Sequence, residues 1–124
     1  MMCVEFTANL DNGHDCFQFT DWIDLSEDDL ACLSRQCKNE SDHDSEVVTK
    51  IVREITKKYH KKHGKSYPAY CVGLSISPDE EDRQIDNGNA EIINDQLVCS
   101  KGYEWLSYYA DSSVIQWAFE VETR

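Results

Sequence analysis

The sequence predicts one α+β domain over residues 1–124, with a largely antiparallel sheet and two helices packed on one face. Three observations predict it. Residues 3–22 alternate apolar and polar side chains about Asn12-Gly13, residues 47–59 repeat apolar side chains at helical spacing, and alternation returns after Pro68. At 124 residues with 40% apolar content, the chain has room for one core and none for a second domain.

Asn12-Gly13 suits a type I′ hairpin turn between strands over 3–10 and 15–22. With Asp11 opposite His14, Phe6 faces Phe19 and Ala8 faces Phe17, and Val4 and Leu10 join them on the buried side. Glu5, Thr7, Asn9, Gln18 and Thr20 take the wetter face.

Ser26 is placed as a helix N-cap by Asp29 three residues on, and Leu25 and Leu30 occupy the positions of a hydrophobic staple. This first helix is expected to run to about Lys38 and to bury Leu30, Leu33 and Cys37. After the polar stretch 39–45, Val48, Val52, Ile55 and Tyr59 form the apolar stripe of a second helix, which Val47 and Ile51 widen. Gly64 is expected to end it just past His63.

A strand over 69–77 should place Tyr70, Val72, Leu74 and Ile76 on one side and Cys71, Gly73, Ser75 and Ser77 on the other. Residues 78–90 show neither period and read as an acidic loop. Residues 91–100 fit either a short helix or a strand pair turning at Asn94-Asp95. Tyr103–Tyr109 and Ser113–Glu122 then read as two closing strands, the second burying Ile115, Trp117, Phe119 and Val121. The expected order is β-β-α-α-β, an undecided segment, then β-β.

The first residues lack a basic stretch before an apolar run, and no window approaches the roughly 18 apolar residues of a membrane span, so a soluble, cytoplasmic protein is expected. In that compartment Cys3, Cys16, Cys32, Cys37, Cys71 and Cys99 should be thiols rather than three disulfides.

Catalytic equipment is missing from the sequence. It contains no Gly-x-Ser-x-Gly, no Cys-x-x-Cys and no glycine-rich loop ahead of a helix. Cys32 and Cys37 are badly spaced for zinc, and His60 and His63 stand among lysines that repel a cation. Neither an enzyme, a cofactor nor a metal site is expected.

Charge is the strongest signal: 24 acidic against 12 basic residues give a net charge of −12. Seven of those bases fall between Lys50 and Lys65 with only Glu54 against them, a segment of +6, which leaves −18 for the remainder and makes the molecule electrically two-faced. Lys57, Lys58, Lys61 and Lys62 form a secondary basic face. Direct binding of nucleic acid is not expected, because the surrounding −18 repels phosphates over a Debye length of about 8 Å.

The acids are the better candidates for a binding surface. Asp79, Glu80, Glu81, Asp82 and Asp86 come first, on an expected loop able to shape itself to a basic cleft, and Asp24, Glu27, Asp28 and Asp29 at the first helix come second. In size and charge alone the chain resembles the carboxylate-studded surfaces by which immunity proteins block basic toxins and DNA mimics fill nucleic-acid clefts. That resemblance implies a non-enzymatic acidic inhibitor of a basic, nucleic-acid-acting protein, whether an antitoxin against a nuclease or a phage-encoded anti-CRISPR or anti-restriction factor. The alternative is an adaptor or subunit of a larger assembly that uses both the acidic surface and the basic helix 50–65.

Overall fold

A computed structural model describes residues 2–11, 15–36, 46–63, 70–111 and 119–120. In chain order the elements are β1 (Met2–Asp11), β2 (Cys16–Leu25), α1 (Glu27–Gln36), α2 (Glu46–His63) and β3 (Tyr70–Ile76). They continue with α3 (Pro78–Asp86), β4 (Ala90–Ile93), β5 (Gln96–Cys99), α4 (Glu104–Asp111) and β6 (Phe119–Glu120). Antiparallel pairing orders the main sheet β2-β1-β3-β6, and β4 and β5 form a separate two-stranded ribbon. The α+β class is as the sequence predicts.

One sheet face carries Val4, Phe6, Ala8, Leu10, Phe19, Ile23, Leu74 and Ile76, all buried. Leu30 and Leu33 of α1, the Val48–Ile51–Val52–Ile55 stripe of α2, and Trp105, Leu106 and Tyr109 of α4 cover it. Phe6 meets Tyr109 edge to face at 6.3 Å. Three helices therefore close this face where two were expected.

The third is the segment 103–109, read from its alternation as a strand. Trp105, Leu106 and Tyr109 are the buried residues, a spacing of one and three that only a helix brings to one side. Their aromatic bulk mimics strand propensity, while packing against β3 and Phe6 decides the outcome. Residues 78–86 are also helical and not a loop. Ser77 caps α3 by accepting the Glu80 N–H, Pro78 opens the first turn with its preset φ, and Asp79, Glu80 and Glu81 complement the dipole. Its buried side chains, Glu80 and Gln84, are polar, so no apolar period marks it.

The first hairpin keeps its predicted faces in a different register. Phe6 lies opposite Asp21, Ala8 opposite Phe19, Leu10 opposite Phe17 and Asp11 opposite Cys16. That two-residue shift leaves Phe6 and Phe19 on one side, and Asn12-Gly13 itself lies outside the described residues. In β3 a bulge opposite Asn9 and Leu10 passes over Val72, so Cys71 is buried beside Leu10 and Val72 turns outward. The undecided stretch is the strand pair: Asn94 and Asp95 take φ of 53° and 63°, the left-handed pair of a two-residue turn. Cys37, Gly64 and most of the expected strand 113–122 lie outside the described residues.

Candidate acidic interface

The sheet register starts the two acidic clusters from the same end of the sheet. Met2 pairs with Leu25 and Phe6 with Ile76, so the start of β1 and the ends of β2 and β3 share one end of the sheet. From that end Ser26 leads into α1 and Ser77 into α3. Each serine caps its helix: Ser26 Oγ accepts the Asp29 N–H at 3.1 Å, and Ser77 Oγ accepts the Glu80 N–H at 3.2 Å. Two acidic first turns separated by about fifty positions in the chain thus begin at the same end of the sheet, from the strands on either side of β1.

The inner acid of each turn is committed to structure. Asp29 accepts the Ser26 N–H at 3.0 Å, which completes a capping box, and pairs with Lys50 at 2.7 Å. Lys50's hydrogen bond holds the Asp29 carboxyl below its ordinary value; burial opposes the shift, and donation from Ser26 assists it. Glu80 is only 1% exposed. Its Oε2 accepts the Glu5 N–H at 3.0 Å and the Arg83 guanidinium at 3.1 Å, and its Oε1 accepts the Gln84 amide at 2.8 Å.

Gln84 in turn accepts from Asn89 at 2.8 Å, while Arg83 also pairs with Glu5 at 3.0 Å and lies over the Trp22 ring, 4.2 Å from its centroid. Glu80 is therefore corrected from a contact residue to a buried brace, and Asp29, placed by the sequence both in the Ser26 capping box and on the binding surface, is engaged by Ser26 and Lys50. Glu5, Trp22, Arg83 and Gln84 were not singled out from the sequence. The i, i+3 and i+4 spacing of Glu80, Arg83 and Gln84 carries that signal once the segment is known to be helical.

The outer acids face solvent, Asp24 in hydrogen-bonding contact with the Cys3 thiol. Asp24, Glu27, Asp28, Asp79, Asp82 and Asp86 are exposed, and Glu81 is half-buried. Such a set only accepts hydrogen bonds, and it fits arginine and lysine.

The C-terminal turns of α2 lie toward the other end, whereas Lys50 stays with the Asp29 cap. Tyr59 and His63 of α2 pack on Phe17 and Phe19, next to the β1–β2 connection and away from Ser26 and Ser77. Lys62 pairs with Asp21 at 3.2 Å and lies 5.5 Å from the Phe19 ring centre, and Lys58 approaches Asp21 at 4.0 Å. Burial opposes ionisation of Asp21, but the Trp22 N–H, Lys62 and Lys58 outweigh it and hold the carboxyl low. Lys57 and Lys61 stay exposed.

Among the described residues no group of three or more His, Cys, Asp or Glu side chains is arranged to hold a metal ion. Burial pushes the Cys71 thiol up to about 11, against a hydrogen bond involving the Gly73 backbone that favours the thiolate, so this group is a poor nucleophile at neutral pH. No described helix is long and apolar enough to cross a membrane. No protein-family model, no curated protein and no solved structure matches the chain.

Proposed function

We propose that the protein is a non-enzymatic acidic inhibitor that covers the basic, nucleic-acid-binding surface of a partner protein in the cytoplasm. The observation that carries this reading is that α1 and α3, with their acidic first turns, both start from one end of the sheet. Asp29 and Glu80 hold the two helices in place, while Asp24, Glu27, Asp28, Asp79, Asp82 and Asp86 point a fixed set of carboxylates outward. Preordered carboxylates steer a cationic surface and lose little entropy on pairing. A nuclease toxin or a CRISPR or restriction complex presents such a surface. Exposed thiols at Cys3 and Cys16 accord with a reducing compartment.

The test is capture from the host followed by competition. The partner's binding to labelled nucleic acid, read by fluorescence anisotropy, is expected to fall to zero as the protein is added in stoichiometric amounts. Undiminished nucleic-acid binding by a partner already saturated with the protein contradicts the inhibitor reading. That result favours the adaptor reading, which draws its support from the exposed Lys57 and Lys61 of α2.

A further inference from the structure

The β4–β5 ribbon stands apart from the main sheet and carries the most exposed large apolar side chains described: Ile92 is 52%, Ile93 44% and Val98 43% exposed. Pairing of Glu91 with Val98 and of Ile93 with Gln96 sets Ile93 and Val98 diagonally on one face. Ile92 and Leu97 share the other face, which leads through Ala90 and Cys99 toward the core. At the foot of the ribbon Ile85, Ala90, Val98 and Cys99 line an open depression of about 490 Å³ with Glu91 among its walls. A two-stranded ribbon that shows apolar side chains on both faces gains little from standing alone and invites edge pairing.

The charge around the ribbon identifies what covers it. Glu91 and Asp95 belong to the ribbon itself. Burial raises the Cys99 thiol, the Ser107 backbone opposes this, and Glu104 and Glu81 add to it, which places both carboxylates near the ribbon's foot. Over residues 78–104 eight acids face two bases, Arg83 and Lys101, and Arg83 is already held by Glu5 and Glu80. A second copy of this chain would set carboxylate against carboxylate across the contact. The complementary surface is apolar with a cationic border.

We propose that the ribbon is a docking site for another protein that presents an apolar strip bordered by lysine or arginine, laid along Ile93 and Val98 with its cations on Glu91, Asp95 and Glu81. The inference rests on the acidic-inhibitor reading and deepens it. The outer carboxylates set the rate of encounter, and burial of the β-branched side chains sets how long the complex lasts.

The experiment titrates the isotope-labelled full chain with two synthetic peptides of equal charge, one alternating lysine and valine, the other alternating lysine and serine, while backbone amide shifts are followed. The lysine–valine peptide is expected to move the amides of residues 90–99 and to bind about ten-fold or more tightly than its serine counterpart. Ile93→Thr with Val98→Thr, which preserves β-branching at exposed positions, is expected to abolish that difference.

Equal affinity for the two peptides overturns the docking site but leaves the acidic reading standing. So do shifts confined to Asp24, Glu27, Asp28 and Asp79, or ribbon shifts that depend on the chain's own concentration, the mark of a second copy. Ribbon amides already protected from exchange by residues 112–118 of the same chain also overturn it. Binding of neither peptide defeats both readings.

Discussion

Glu80, in the first turn of α3, accepts the backbone N–H of Glu5 at 3.0 Å and so continues the pairing of β1 where β3 has ended. A buried carboxylate takes the place of a neighbouring strand and fixes α3 to the sheet. Glu80→Ala leaves the Glu5 N–H, the Gln84 amide and part of the Arg83 charge unmet. It is expected to lower the unfolding free energy by about 3 kcal/mol in a denaturant titration. Glu81→Gln, one position on and outside this network, should change stability by about 0.5 kcal/mol or less.

Ser26 and Asp29 support α1 reciprocally, so Ser26→Ala is expected to cost about 1 kcal/mol. The pH response follows from Asp29, whose folded pKa lies below its unfolded value. Its stabilisation is present above about pH 4 and is lost as pH falls through the folded value. Asp21 acts in the same direction. Urea titrations between pH 7 and pH 2 should show stability falling in the acid limb, and Asp29→Asn should flatten part of that fall; an unchanged slope in the variant contradicts the assignment.

Burial and the raised thiol at Cys71 predict slow alkylation in the native protein, while exposed Cys16 reacts readily. Iodoacetamide labelling at neutral pH, read by peptide mass spectrometry, should modify Cys16 before Cys71. Addition of denaturant should equalise them. Comparable native rates would contradict the buried placement of Cys71 beside Leu10.

What could be read directly was whatever one face of one element announces. The α2 stripe, the Ser26 cap and the sidedness of β1 and β2 depend on local periodicity, and they stand in the structure as the sequence predicts. The failures share a cause. The inward side of α3 is polar, with Glu80 and Gln84 facing Glu5, Arg83 and Asn89, so hydrophobic periodicity had nothing to detect. The aromatic residues of α4 fitted a strand equally well until β3 and Phe6 were available to pack against. The acidic residues were visible as charges. Their division into braces and free carboxylates depends on contacts with residues up to 75 positions away, which composition does not encode.

The role of the acids on α1 and α3 is tested most directly by association kinetics of the captured partner. Wild type is compared with a variant carrying D24N, E27Q, D28N, D79N, D82N and D86N, which retains Asp29 and Glu80 because both hold the fold. Loss of exposed acids, in the first turns or outside them, costs a fraction of a kcal/mol each, and circular dichroism should report an intact fold. At low salt the variant is expected to associate about ten-fold or more slowly than wild type and to show a shallower dependence on ionic strength. An association rate and salt dependence equal to those of wild type would contradict the acidic interface.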